Sequence, residues 1–351
     1  MSVPDSPKRP ADWLASLQVL RGVAALAVVF YHSINAASRA VPEIHRVYWL
    51  QSGVDLFFLI SGFVMVHVTR KKVGVPGAAW SFLQNRFIRV VPLYWLYTTM
   101  MLVVLWCFPE IFRTQYLNLP QTLHSYLFWP DYRGPYVQVG WTLNFEMFFY
   151  VCFTLCFSRA WMRYGILWPG MLLGGLWGLT HAGVGRTGIT ALMLSPYLLE
   201  FLGGMVIATL HPSRFRPPSW VPLLGLAISL AVFMLLKVRT HPVITWGVPL
   251  FFLLQFALAH EQQFRRPGLG PLLWLGDASY SLYLTHFFVV AALEKFWLHR
   301  LGHAHPIVFI AVAVTLCVIV VYPLWRWIEQ PLLELGRRAL RPRRTAAVSG
   351  P

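Results

Sequence analysis

Apolar stretches of about twenty residues follow one another along nearly the whole chain. A helix that crosses a bilayer needs roughly 20 predominantly apolar residues, so about ten of these stretches are predicted to span a membrane. Their approximate limits are 17–35, 50–69, 90–108, 138–157, 164–181, 190–210, 220–236, 243–260, 278–297 and 306–328. The spacing predicts an all-α fold, a polytopic membrane helical bundle with about ten transmembrane helices.

The composition supports a membrane bundle and argues against nucleic-acid binding. Only 12% of residues are charged, against about 25% in a soluble domain. The formal net charge of +16 could indicate a nucleic-acid partner. The basic residues fall in short loops between apolar stretches, however, and such a distribution sets membrane topology instead. The bilayer is therefore an expected partner, and nucleic acid is not.

The distribution of Lys and Arg predicts that both termini are cytoplasmic. With the N-terminus inside, roughly 19 basic residues face the cytoplasm and roughly nine face outward. The polar residues 1–16 are expected to form a cytoplasmic tail without a cleavable signal peptide. The transmembrane domain is expected over 17–330, and a basic, disordered cytoplasmic tail that meets anionic lipid is expected over 331–351.

Common catalytic and metal-binding motifs are not found in the sequence. The four cysteines lie in apolar stretches without disulfide or zinc spacing, and are expected to be buried small hydrophobes: Cys107, Cys152, Cys156 and Cys317. No GxSxG or Walker motif occurs, and no internal repeat is evident. The sequence predicts no metal site and no bound cofactor.

Arg21 and His32 lie inside the first apolar stretch, LQVLRGVAALAVVFYHSI. Eleven residues make about three helical turns, so the two side chains share one helix face and lie roughly 16 Å apart along the axis. Ionisable groups inside a membrane helix are costly and are functional candidates by default. Alternatively, Arg21 snorkels to the membrane surface and His32 bonds to a neighbouring helix.

Glu146 is the acidic residue of the segment GWTLNFEMFFY, residues 140–150. Its expected depth is close to that of His32, and Thr142 lies one turn away on the same face. A buried carboxylate must find a partner. Glu146 either orients and polarises His32, as in other histidine-based catalysts, or forms an ion pair that locks the bundle.

Arg86 and Arg89 occur in FLQNRFIRVVPLYW, at the cytoplasmic end of the third predicted span. Guanidinium groups at a membrane surface bind lipid phosphate. They equally suit the phosphates of a donor such as a coenzyme A thioester. Tyr94 and Trp95 are either interface anchors or neighbours of an acyl chain.

Further polar residues lie in two segments, 53–63 and 276–286, that begin predicted spans or lie within them. Asp55 is expected near the outer end of the second span, where a carboxylate suits a helix N-terminus. In GDASYSLYLTH, residues 276–286, Asp277 and Ser279 are candidate helix caps, and Ser279, Tyr283 and His286 share one face. The two intramembrane histidines and Glu146 form a set that can handle protons. The outward loop 109–137 suits either a polyol ligand or the membrane interface.

The ordered motifs resemble the acyltransferase-3 family of integral membrane acyltransferases. They are an arginine and a histidine separated by ten residues in the first span, VDLFFLISGF at 54–63, Arg-x-x-Arg at 86–89 before PLYW, WTLNFE at 141–146 and SYSLYLTH at 279–286. Position 142 is threonine where the family commonly has serine, and the hydroxyl remains. The short form, without an extra soluble domain, is similar to the exopolysaccharide acetyltransferase branch.

The resemblance implies a membrane O-acyltransferase of the bacterial inner membrane. Its donor would be cytoplasmic acyl-CoA, with acetyl-CoA expected, and its acceptor a hydroxyl of a surface or exported glycan or of a lipid-linked sugar. Arg21 and His32 would be the essential pair, and Glu146 with Trp141 would line the acceptor side. The expected depth of Glu146 adds a catalytic role for this residue beside His32. Donor-binding residues would be Arg86, Arg89 and Tyr94, and substrate-binding residues would be Asp55, Trp141, Tyr283 and His286.

The amino-acid sequence leaves the reaction mechanism and the class of function open. Transfer could be direct within a ternary complex or could pass through an acyl-His32 intermediate. The competing function is a proton-coupled transporter or flippase of a polar or glycan substrate, because intramembrane His, Glu and Arg also suit proton-coupled export.

Overall fold

A computed structural model describes most of the chain. The described residues are 13–41, 43–109, 115–155, 188–193, 195–210, 218–236, 243–301 and 305–340, together with 170, 174, 175 and 178. The predicted fifth span, 164–181, lies almost entirely outside them, as do Cys156 and residues 1–12 and 341–351 of the two expected tails.

Every regular element in the described part of the chain is helical, which confirms the all-α prediction. In chain order the α-helices are α1 Ala15–Ala40, α2 Gly53–Thr69, α3 Ala78–Cys107, α4 Leu119–Leu127, α5 Trp141–Leu155, α6 Ile189–Met193, α7 Tyr197–Leu210, α8 Trp220–Leu236, α9 Val248–Ala259, α10 Gly270–Asp277, α11 Ser279–Leu301, α12 Pro306–Leu324 and α13 Gln330–Leu340. Short 3₁₀ segments include Tyr48–Ser52, Arg70–Lys72, Gln138–Gly140 and Glu261–Arg265, and π-helical segments are Val243–Gly247 and Trp325–Glu329.

Four described helical segments are long and apolar enough to cross a membrane. They are Ala15–Ala40, Tyr48–Lys72, Ala78–Cys107 and Pro306–Leu340. Shorter apolar helices occur at Tyr197–Leu210, Trp220–Val232 and Thr245–Ala259. The protein is therefore a helical membrane protein, and the count of about ten spans stays a prediction.

Two helix limits differ from the sequence expectations. Helix α3 begins at Ala78, twelve residues before the expected start of its span, so Arg86 and Arg89 lie within a continuous helix. Helix α13 continues to Leu340, so the expectation of disorder is wrong for residues 331–340. The reason is packing: Gly336 of α13 lies directly against the Ile88 side chain of α3, which gives the basic helix a buried face.

Helix α1 lies at the centre of the described bundle and packs against α2, α10, α11 and α12. Its contact with α10 is close because a Cβ added at Gly276 would overlap the Gln18 carbonyl, and one added at Gly22 would crowd the Leu272 carbonyl. Small residues allow membrane helices to approach in this way. The contact fixes the face of α1 that carries Arg21.

Candidate active site

Two cavities lie inside the described bundle, one toward each end of α1. The first, of about 390 Å³, is lined by Gln18 and Arg21 from the first half of α1. The second, of about 370 Å³, is lined by His32 and Arg39 from the second half. We call them the arginine cavity and the histidine cavity. The predicted pair Arg21 and His32 is thus divided between two chambers.

The arginine cavity is strongly cationic. Among its described lining residues, four are arginines and one is an acid, and the charged set is Arg21, Arg86, Arg89, Arg337 and Glu146. Helices α1, α3, α5 and α13 each contribute to this set. An excess of guanidinium groups around a chamber of this size favours an anionic ligand, because planar guanidinium forks match phosphate and carboxylate oxygens.

Arg21 is held at the junction of α1 and α11. Its Nη2 donates to Ser279 Oγ at 2.8 Å, and its Nη1 lies 3.4 Å from Gln18 Oε1. Ser279 was expected to cap a helix; in the structure its hydroxyl accepts a hydrogen bond from Arg21. These bonds orient one side of the guanidinium and leave the group on the cavity wall.

Arg86 has hydrogen-bonding capacity to spare. Its guanidinium lies over the rings of Phe82 and Tyr150, at 5.3 and 5.9 Å from the ring centroids. Its Nε is buried and has no hydrogen-bond partner among the described residues. Buried polar groups are normally paired, so an orphaned donor on a cavity wall points to a ligand.

The histidine cavity has a different character, with aromatic and amide groups and one ion pair. Arg39 binds Glu294 in a two-point contact, Nε to Oε1 at 3.0 Å and Nη2 to Oε2 at 2.7 Å. The other polar or aromatic lining residues are Tyr31, His32, Gln51, Gln138, Trp141, Tyr283 and Phe287. Such a wall suits a neutral ligand rich in hydroxyls.

His286 lies directly behind His32, with ring centroids 5.1 Å apart. It is completely buried, and its Nδ1 lies 3.2 Å from the Leu282 carbonyl. Because a carbonyl only accepts, this contact assigns the proton to Nδ1 and leaves Nε2 as an acceptor. Nε2 is buried without a partner among the described residues.

The structure places Glu146 away from His32, so the expectation that Glu146 orients this histidine is wrong. Glu146 lines the arginine cavity, accepts a hydrogen bond from Tyr150 at 3.0 Å, and interacts electrostatically with Arg21, Arg86 and Arg89. Equal depth on two helices does not bring side chains together when the helices turn them toward different chambers. The residue next to His32 is His286.

Asp55 and Tyr94, like His286, line neither cavity. Asp55 lies in the first turn of α2, as expected for a carboxylate near a helix N-terminus, and its buried side chain interacts with Glu200 of α7. Tyr94 is completely buried against Phe128, with ring centroids 4.8 Å apart, and against the backbone of Gly140. Trp141 lines the histidine cavity and Tyr283 lines both chambers, as a substrate-facing role requires.

Sequence reasoning missed two buried acids. Glu329 ends the π-helical segment Trp325–Glu329, contacts Ser281 Oγ and interacts electrostatically with Arg21 and Arg89. It lies one residue beyond the predicted end of the last span. Glu200 lies inside the predicted span 190–210, where an acid in an apolar stretch was an available signal. Arg337 was also missed, because residues 331–351 were expected to form a disordered tail and helix α13 was not predicted.

The fold and the two chambers define a helical membrane protein that can hold an anionic ligand and a hydroxyl-rich ligand at opposite ends of one helix. The acyltransferase-3 family model, described as an acyltransferase domain, matches residues 14–326. The chain belongs to this family and is an acyltransferase that transfers groups other than aminoacyl groups.

Two relatives cover most of the chain. It is 34% identical over 319 residues to the exopolysaccharide production protein ExoZ of Rhizobium meliloti (strain 1021), covering 85% of this chain and 93% of that protein. It is 27% identical over 344 residues to the acyltransferase MdmB of Streptomyces mycarofaciens, covering 83% of this chain and 82% of that protein. No solved structure matches the chain.

Proposed function

We propose that the protein moves an acyl group, expected to be acetyl, from cytoplasmic acyl-CoA to a hydroxyl of an exported or surface glycan or of a lipid-linked sugar. One observation carries this proposal: a cationic cavity and a histidine-bearing cavity adjoin each other inside one bundle. The name of the ExoZ relative, an exopolysaccharide production protein, supports a polysaccharide acceptor.

The donor belongs in the arginine cavity. Acyl-CoA carries several phosphates, and Arg21, Arg86, Arg89 and Arg337 supply the complementary charge. The cavity includes the start of α1 and the end of α13, which the Lys and Arg distribution assigns to the cytoplasmic side. Acyl-CoA therefore reaches the site without crossing the membrane.

The acceptor belongs in the histidine cavity, where His32 is the general base. An acceptor hydroxyl gives its proton to His32 as its oxygen attacks the thioester carbonyl. The new C–O ester bond forms, the C–S bond breaks, and His32 returns the proton to the leaving thiolate. His286 is a positioning residue that fixes the His32 ring from behind. In the alternative form, His32 itself attacks first and the acceptor then takes the acyl group from it.

Acyl transfer from radiolabelled acetyl-CoA in membranes tests the proposal. We compare wild type with His32→Ala and Arg86→Ala, and use His45→Ala and Arg70→Ala as matched controls because both of these side chains are exposed and lie outside the cavities. Label is expected in a glycan or lipid-linked sugar fraction for wild type and both controls. Removing His32 should abolish transfer, since a general base contributes about 10²–10⁴-fold.

Two results would contradict the proposal. Transfer retained in the His32→Ala protein would remove the proposed base. No histidine-dependent transfer from acetyl or longer donors, with several acceptor pools supplied, would exclude the proposed donor and acceptor. Movement of a glycan across the membrane without acyl transfer would then favour the flippase hypothesis.

A further inference from the structure

Val54 and Tyr283 form the boundary between the two cavities. Among the described lining residues, these two alone belong to both chambers. Both residues are buried, each with 7% of its surface exposed, so both are packed into the bundle at this boundary. We call the pair the septum. A group that extends from the arginine cavity toward the histidine cavity at this boundary therefore meets an isopropyl group and a phenol ring.

The Tyr283 side of the septum is fixed by hydrogen bonds. Its hydroxyl donates to the Val139 carbonyl at 2.9 Å and lies 2.9 Å from Thr142 Oγ1. The Phe57 ring meets the Tyr283 ring edge-on, with centroids 6.0 Å apart. A phenol held at its hydroxyl and against its ring cannot swing aside without breaking contacts to α5 and α2.

The Val54 side is fixed by backbone packing. Gly53, the preceding residue, lies so close to α1 that a Cβ added there would overlap the Ala24 carbonyl. Helix α2 therefore cannot shift toward α1. Val54 itself is β-branched, and in a helix such a side chain strongly prefers one χ1 rotamer. Packing and hydrogen bonds therefore restrain both residues of the septum.

We propose that the septum selects acyl length: it admits acetyl from the arginine cavity and excludes longer acyl groups. This inference rests on the proposed function, in which the thioester carbonyl must meet an acceptor oxygen activated by His32. The acyl group is the part of the donor that reaches the boundary. Each additional methylene must fit between Val54 and Tyr283 or displace the acceptor, and one methylene in a tight pocket changes discrimination by about 10–200-fold.

The test measures kcat/KM for acetyl-CoA, butyryl-CoA and hexanoyl-CoA with purified wild type and Val54→Ala. Removing two methyl groups from the septum is expected to raise the butyryl-to-acetyl ratio of kcat/KM by at least about tenfold. Val66→Ala is the matched control, because Val66 lies on the same helix and lines neither cavity. Its chain-length profile should equal that of wild type.

A second variant covers the case in which Val54→Ala does not fold. Tyr283→Phe keeps the ring but loses both hydroxyl contacts, so it should loosen the septum. The butyryl-to-acetyl ratio of kcat/KM is expected to rise, by a smaller factor than in Val54→Ala. Elution as a single species in detergent checks folding. An unchanged butyryl-to-acetyl ratio in folded Val54→Ala, or an equal shift in Val66→Ala, would overturn the inference.

The same data separate this inference from the proposed function. Wild type that transfers acetyl in a His32-dependent way, while septum variants keep its chain-length profile, overturns septum selection alone. Wild type that transfers no acyl group from any of the three donors overturns both.

Discussion

At the scale of single residues, the site depends on which neighbour each ionisable group meets. His32 meets His286 at 5.1 Å between ring centroids, and Glu146 meets the arginines. The carboxylate that the sequence offered as the partner of the histidine instead balances part of the cationic charge around the expected donor. His32 and His286 therefore form a pair, and Glu146 lies apart from them among the arginines.

His286→Phe is expected to lower kcat by about a hundredfold while changing the KM for acetyl-CoA little, because misplacing a catalytic group by about 1 Å has an effect of that size. The ring volume is retained, but the contact of Nδ1 with Leu282 and the acceptor at Nε2 are lost. His286→Asn, which can still donate to a carbonyl, should recover part of the rate. A rise in KM with unchanged kcat would show that His286 has no role behind His32.

Glu261 caps α1 from 245 residues away in sequence. Its carboxylate accepts from the backbone N–H of Ala15 at 2.7 Å and of Ser16 at 3.0 Å, and from Ser16 Oγ at 2.6 Å. Burial alone would raise the pKa of Glu261. The bonds from Ser16 and Ala15, with a contact to Arg265, outweigh burial and hold this pKa below its ordinary value.

Glu261→Gln should therefore destabilise the protein near neutral pH by about 0.5–2 kcal/mol, the range for loss of a helix cap. A lowered pKa means that the stabilisation is fully present above the unfolded value of about 4.3 and disappears as pH falls through the lower folded value. Thermal unfolding in detergent from pH 7 to pH 3 measures this. The difference in unfolding temperature between wild type and Glu261→Gln should disappear at the acidic end. A difference that stays constant would contradict the assignment of the Glu261 carboxylate as the helix cap.

At the scale of helices, close backbone contacts fix how the elements face one another. Helices α2 and α7 pack along much of their length. A Cβ added at Gly204 would overlap the Leu59 carbonyl, and one added at Gly62 would overlap the Phe201 carbonyl. These contacts set the rotation of α2, and hence the direction in which Val54 points.

Gly204→Ala is expected to destabilise the protein by about 1–3 kcal/mol, because the helices must separate to admit a methyl group. Gly203→Ala is the neighbouring control: its Cβ would meet only the ends of the Leu59 and Phe251 side chains, at 3.2 and 3.4 Å. The control should stay within about 1 kcal/mol of wild type. Thermal unfolding measures the destabilisation of both variants. Equal destabilisation by Gly204→Ala and Gly203→Ala would contradict the argument that α2 and α7 are in close backbone contact.

At the scale of the whole molecule, the proposed chemistry requires the two cavities to open toward opposite sides of the membrane. The predicted topology places the loop that contains Tyr132 outside and the Arg70–Lys72 segment inside. Tyr132 is 85% exposed and Lys71 is also exposed, so both positions can be labelled.

Single cysteines at positions 132 and 71, in a chain without its four native cysteines, should react differently with a membrane-impermeant maleimide. Tyr132→Cys is expected to be labelled in spheroplasts, and Lys71→Cys only after permeabilisation. Labelling of position 71 from outside would reverse the predicted orientation and place the arginine cavity beyond the reach of cytoplasmic acyl-CoA.

The helical membrane class and the family, through its ordered motifs, could be predicted from the amino-acid sequence. So could the location of five ionisable residues inside apolar helices: Arg21, His32, Arg86, Arg89 and Glu146. Those features follow from local physics: the length of apolar stretches, the cost of buried charge and the 3.6-residue period. Periodicity tells which residues share a face of one helix, but it says nothing about the neighbour that this face meets.

Which neighbour each helix face meets depends on the tertiary structure. It separated Glu146 from His32, brought Arg337 and the missed Glu329 to the arginines, paired Asp55 with Glu200, and made Val54 and Tyr283 a common wall. The physical reason is that helix rotation and register depend on contacts between segments far apart in sequence. Gly22 against α10 and Gly204 against α2 are such contacts.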